Sequence, residues 1–234
     1  VGTGSIRRVA GPSGTTMITV DANGENTIVY SPGSNATVDA EYIQSVVDDL
    51  KRSSVLGLCL ESPMDAVLEA ACVCHGHNIP VLLNDSPFID SLPQDLIDNT
   101  DILLVNEHEM AQLLKVNEPK EDDWTHVDWE FLASRLHRFG YDNAVITLGA
   151  SGSRVIENGM VSVINPVHVE AIDTTGCGDS FMGTILSGLA ANLSLHESAE
   201  LASCVAAYAA TGYGAQSSYG SFEQIADFIE QKIS

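Results

Sequence analysis

The sequence predicts an α/β fold: a mostly parallel sheet covered by helices on both faces, with a small β appendage ahead of it. Three observations carry this. From Val38 onward, helical and strand patterns alternate along the chain. The strand segments are almost wholly apolar, as strands buried on both faces must be. The first 36 residues differ, with two β-prone runs flanking Asn23-Gly24, a dipeptide suited to a tight hairpin turn.

In order along the chain, Thr15 to Tyr30 read as a β-hairpin, with Thr16–Val20 and Thr27–Tyr30 as its arms. Helical periodicity covers Asp39 to Lys51, a strand follows at Val55–Leu60, and a helix at Met64–Cys74. Further strands are expected at Val81–Leu83, Ile102–Val105 and Ala144–Leu148, with a helix at Trp129–Phe139 between the last two. Residues 117–125 form an acidic loop. Arg154–Ile156 and Met160–Ile164 make a second hairpin, turning at Asn158-Gly159. The remainder is helical, with capping-box patterns at Ser194–Glu197 and Ser221–Gln224. In such a sheet, ligands bind beyond the carboxyl ends of the strands. That rule singles out Glu61, Asn84-Asp85, Asn106 to Glu109, and Gly149 to Gly152.

Composition narrows the function. The chain has 234 residues, 44% of them hydrophobic, enough for one domain with a real core. No apolar run reaches the length of a membrane span, and no signal peptide is visible, although Val1 is not a native start. A formal charge of −22 with only 10 Lys and Arg argues against nucleic acid and anionic membranes as partners. Any bound nucleotide must then be held by local helix N-termini and metal ions. The five cysteines, at irregular spacing, read as free buried thiols of a cytoplasmic protein. Cys72, Cys74, His75 and His77 resemble a metal cluster, but helical spacing turns the two thiols apart, against the convergence zinc needs. There is no G-x-x-x-x-G-K-[ST], no early G-x-G-x-x-G and no G-x-S-x-G.

The most informative stretch is Asp173-Thr174-Thr175-Gly176-Cys177-Gly178-Asp179-Ser180-Phe181. A glycine turn feeding an apolar helix presents unpaired N–H groups at the positive end of the helix dipole, an anion site. An aspartate there would repel a phosphate it merely held, but suits a base that deprotonates an attacking hydroxyl. On these residues alone, a capped helix start with Asp179 as an N-terminal charge serves equally well.

This stretch is similar to the D-T-x-G-A-G-D-x-F signature of the ribokinase-like (PfkB) carbohydrate kinases, with Cys177 in place of alanine. The resemblance implies a three-layer α/β/α sandwich with a small β lid. Residues 1–36 would belong to the lid, which also serves as a dimer clasp, and 37–234 to the nucleotide-binding kinase domain. It further implies that Asp179 is the catalytic base and that the backbone of Gly176, Cys177 and Gly178 is the anion hole. Asn106 and Glu109 match an N-x-x-E motif that organises Mg²⁺ and phosphates. Thr147, Leu148, Gly149, Ala150, Ser151 and Gly152 would lie along ATP, with Ser203 on the adenine side. Asp173, Thr175, Ala209, Gly212, Gly214 and Ser218 match a monovalent-cation (K⁺) loop. Leu60-Glu61-Ser62-Pro63 and Pro32-Gly33-Ser34-Asn35-Ala36 resemble segments of the family's ribose-phosphorylating members, with Glu61 on the sugar. The implied reaction is ATP-dependent phosphorylation of the primary hydroxyl of D-ribose, giving ribose 5-phosphate, in a homodimer. A kinase of another sugar or of a nucleoside, and a non-catalytic relative or fragment, are the alternatives. The family's first strands and its G-G-x-x-x-N sugar motif would precede Val1.

Overall fold

The computed structural model describes residues 2–20 and 26–233. The Asn23-Gly24 turn lies outside the described residues. Its two arms do pair: β1 (Thr15–Val20) and β2 (Asn26–Ser31) form a separate antiparallel sheet, registered from Thr15 opposite Ser31 to Val20 opposite Asn26. Met17 and Val29 are cross-strand partners and are 67% and 60% exposed, so this side of the hairpin is apolar and open.

The main sheet holds six strands in chain order. β3 (Leu56–Leu58), β4 (Val81–Asn84), β5 (Ile102–Asn106) and β6 (Ala144–Thr147) are parallel, and β7 (Ser153–Glu157) and β8 (Met160–Ile164) continue antiparallel. The helices are α1 (Ala40–Ser45), α2 (Val47–Leu50), α3 (Met64–His75), α4 (Gln94–Ile97), α5 (Glu107–Leu114), α6 (Trp129–Phe139), α7 (Cys177–Ala190), α8 (Leu195–Ala209), α9 (Ala215–Ser218) and α10 (Phe222–Ile233).

Side-chain alternation along the strands divides the core in two. Val81, Leu83, Leu103 and Val105 pack with α3, α5 and α6. Leu82, Leu104 and Val145 pack with Phe181 and Ile185 of α7 and Ala199 and Ala202 of α8. The result is the expected three-layer sandwich. α6 matches its predicted bounds because its ends are chemically marked. Asp128 accepts from the Phe131 amide at the start, and Gly140, at φ 127°, ends it.

Several expectations need correction. Asp39 to Lys51 form two short helices that break at Val46, and Val55–Leu60 shortens to the three residues that pair with β4. The thiols are not uniformly buried: Cys74 is, Cys177 and Cys204 are half-buried, and Cys59 and Cys72 are exposed. Among the described residues no metal-binding group of three or more His, Cys, Asp or Glu is found, and no helix is long and apolar enough to cross a membrane.

Candidate active site

The carboxyl ends of the parallel strands and the N-terminus of α7 face one region. Gly176 is the N-cap of α7 at φ 81°, a left-handed conformation that favours glycine. A Cβ there would lie 2.6 Å from the Tyr219 hydroxyl and 3.0 Å from Ala215 Cα. Tyr219 donates to the Gly176 carbonyl at 3.0 Å and so holds the turn from behind. Gly178 has open space where a Cβ would be, leaving room for a ligand to approach its backbone. The Cys177 amide donates back to the Thr174 carbonyl at 3.1 Å, which removes it from the expected anion hole. The Gly178 and Asp179 amides have no acceptor among the described residues. Asp179 is exposed, in the first turn of α7, and no salt bridge ties it down among the described residues.

Beside this turn is a cavity of about 370 Å³, lined predominantly by apolar groups. Thr147, Gly149, Ala150, Gly152 and Ser203 of the expected nucleotide residues line it, together with Cys177 and Gly178. Leu148 does not: it is 4% exposed and belongs to the core, so its side chain cannot face a nucleotide. Ser151 also stands off the lining, its amide donating to the Leu148 carbonyl at 2.9 Å. Gly152 has φ 85°, and a Cβ there would lie 2.9 Å from Pro166 N, so this approach of backbones requires glycine.

The opposite wall was missed in the sequence. It consists of Pro166, Val167, His168, Val169 and Ala171, with Phe181, Ala206, Ala207 and Ala210 at its base. The segment after β8 has neither strand alternation nor turn chemistry; its apolar content after a proline was the available signal. Lys232 of α10 holds this wall from outside, donating to the His168 carbonyl at 2.7 Å. No Lys or Arg lines the cavity, in keeping with a chain that must hold any nucleotide by backbone dipoles and ions.

Asn106 and Glu109 make a reciprocal capping box on α5. The Glu109 amide donates to Asn106 Oδ1 and the Asn106 amide to Glu109 Oε2, both at 2.8 Å. Burial pushes the Glu109 carboxyl above its usual value, opposed by the Asn106 amide and by His108. Asp85, at the end of β4, is fully buried, and desolvation pushes its carboxyl up to about 6. Its Oδ1 accepts from the Ile89 amide at 3.2 Å, while its Oδ2 has no partner. A buried orphan oxygen next to Glu109 is an environment that fits a hydrated divalent cation.

The residues expected at a monovalent cation fall into two local groups. Asp173 accepts from the amides of Thr175 and Gly214, both at 2.9 Å, and these bonds hold its carboxyl below the usual range. Gly212 packs on Ser218 and its amide donates to the Ala209 carbonyl at 3.1 Å. Near Glu61, the residue expected to meet sugar, the Tyr30 hydroxyl of the hairpin donates to the Glu61 carbonyl at 3.1 Å, and Asn35 donates to Tyr30. Cys59 lies within the field of both Glu61 and Asp179. Desolvation of its sulfur pushes the thiol up, and the two carboxylates add to that. The end of β3 and the start of α7 are therefore neighbours.

Known proteins share this fold. The pfkB family carbohydrate kinase profile matches residues 1–220. The chain is 34% identical over 215 residues to the ribokinase of Schizosaccharomyces pombe, covering 91% of this chain and 66% of the relative. It is 30% identical to the deoxyribokinase of Salmonella typhi, covering 93% and 69%. The crystal structure of the Thermotoga maritima ribokinase superposes with a TM-score of 0.80 at 28% identity, covering 96% of this chain and 72% of that one. The chain thus spans about two thirds of the length of the curated relatives it matches. Profile, relatives and superposition lead to one conclusion: this chain belongs to the pfkB family of carbohydrate kinases.

Proposed function

We propose that the chain carries an ATP-dependent sugar kinase site that transfers phosphate to the primary hydroxyl of D-ribose, giving ribose 5-phosphate. The observation that carries this reading is the exposed Asp179 carboxylate beside amides without acceptors, next to a nucleotide-sized cavity. Asp179 takes the hydroxyl proton as the oxygen attacks the terminal phosphorus of ATP, whose bond to the bridging oxygen breaks so that ADP leaves. The Gly178 and Asp179 amides, at the positive end of α7, stabilise the charge that develops on the transferred group. Asn106 and Glu109 would hold a Mg²⁺ ion, whose contribution is to neutralise phosphate charge. The oxygens around Asp173, Thr175, Ala209, Gly212, Gly214 and Ser218 suit a monovalent cation such as K⁺. Glu61, close to the hairpin and to Asp179, meets the sugar. The open apolar side of β1 and β2 is the natural contact of a homodimer through the lid, and a cytoplasmic location accords with the free thiols.

The 30% identity to a deoxyribokinase keeps a second pentose in play. A coupled ADP-release assay across ribose, 2-deoxyribose, fructose and adenosine tests the reading. Ribose-dependent ADP release supports it. Turnover confined to adenosine or fructose moves the chain to another member activity. A folded chain that binds ATP and turns over none of the four overturns it.

A further inference from the structure

Strands β4 and β5 run parallel and end at the same sheet edge, with Leu83 opposite Leu103 and Asn84 opposite Leu104. The Asp85 amide continues this ladder to the Leu104 carbonyl at 3.3 Å, so Asp85 stands level with Val105. By strand alternation its side chain shares a face with Val81, Leu83 and Val105, beneath the first turn of α5. Glu109 is folded back over that same turn, its carboxylate held on the Asn106 amide. Two carboxylates from different elements thus lie within electrostatic reach of each other near one helix N-terminus.

Asp85 is not explained as an ordinary cap. One oxygen serves the Ile89 amide, but the other is fully buried with no hydrogen-bond donor. A buried carboxylate normally finds a positive partner or a full set of donors. Among the described residues no Lys or Arg acts on Asp85 or Glu109, and the basic group beside Glu109 is His108, whose ring lies 3.1 Å from Glu118. The missing partner has the chemistry of a small hard cation that takes one or two carboxylates and keeps its remaining waters.

We propose that Asp85 is a second carboxylate of a divalent-cation site shared with Glu109, holding the ion or one of its waters through Oδ2. The proposal rests on the kinase reading only in placing an ion at the Asn106–Glu109 turn. The role is one of positioning: Asp85 fixes the ion at the sheet edge before nucleotide arrives.

The test is Mn²⁺ binding to the chain without nucleotide or sugar, followed by electron paramagnetic resonance, for wild type and Asp85→Asn. The wild type should bind, and the variant, which retains an acceptor for Ile89, should bind about 10–100-fold more weakly. A second measurement needs no variant. Bound Mn²⁺ should broaden the Ile89 amide resonance in the wild type and spare Gly159, at the opposite edge of the sheet. Equal Mn²⁺ affinity in the two proteins, a sharp Ile89 resonance at saturating Mn²⁺, or no binding by the wild type overturns the proposal. If the variant does not fold, the Ile89 resonance alone decides. The sugar assay judges the kinase reading separately, since ribose-dependent turnover with an unaffected Asp85→Asn affinity would remove this site and keep the enzyme.

Discussion

Replacing Asp85 by Asn should change how the stability of the fold depends on pH. Folding strips this carboxyl of water and places it near Glu109 and Tyr141, with only the Ile89 amide in compensation. The folded group therefore holds its proton more tightly than the unfolded one, about 6 against 3.8. The folded state binds more protons across that window, so wild-type stability falls as pH rises from 3.8 towards 6 and stays low above it. At about 1.4 kcal/mol per pH unit the full effect is about 3 kcal/mol, and between about pH 4 and pH 7.5 it is about 2–3 kcal/mol. Asn cannot ionise and escapes the penalty. Whatever the variant loses through its unpaired amide, the gap between it and wild type should move in its favour by that amount. Urea unfolding in EDTA, followed through buried Trp124 and Trp129, measures it at both pH values. A gap that does not change with pH would refute the reasoning, because Asp85 would then titrate alike in both states.

Asp179→Asn should lower ribose-dependent turnover by about 10²–10⁴-fold while ATP binding persists; near-normal ADP release would rule out the base assignment. Gly176→Ala forces a methyl within 2.6 Å of the Tyr219 hydroxyl at φ 81° and should destabilise the chain, with Tyr219→Phe in the same background recovering part of the loss; thermal unfolding of the single and double variants checks this. Tyr141→Phe removes a buried hydroxyl 2.7 Å from Thr100 Oγ1, which keeps its bond to the Leu96 carbonyl, so urea unfolding should show a loss of only about 1 kcal/mol. Tyr141 itself, pushed to about 12 by burial, should stay un-ionised in an ultraviolet titration to pH 11 while exposed tyrosines titrate.

What the sequence revealed, and what it hid, follows from how local each signal was. Trp129–Phe139 could be read residue by residue because cap, apolar face and terminal glycine lie within one segment. The break at Val46 has no such mark, since neither Gly nor Pro stands there and the helices on either side of it both pack against α3. On the site, Cys177, Gly178 and Ser203, singled out through the family resemblance, line the cavity, while Gly176 does not. The wall from Pro166 to Ala171 was not legible, because an irregular stretch outside any strand ladder or helix carries no period. Asp85 read as one more polar residue after a strand. Its isolation is created by α5 and the 86–89 turn closing over it, a tertiary fact with no counterpart in neighbouring letters. The Cys177 amide, expected to point at phosphate, turns back because the Thr174 carbonyl is within reach once Gly176 adopts its left-handed conformation.

The bonds from Asp173 to Thr175 and Gly214, and from Tyr219 to Gly176, stitch two loops of different origin into one stiff block. A movement of one loop would strain the other, so a cation bound among the carbonyls behind, as proposed, and an anion bound in front would be thermodynamically linked. Whatever either occupant adds to the other's grip must be returned in equal measure.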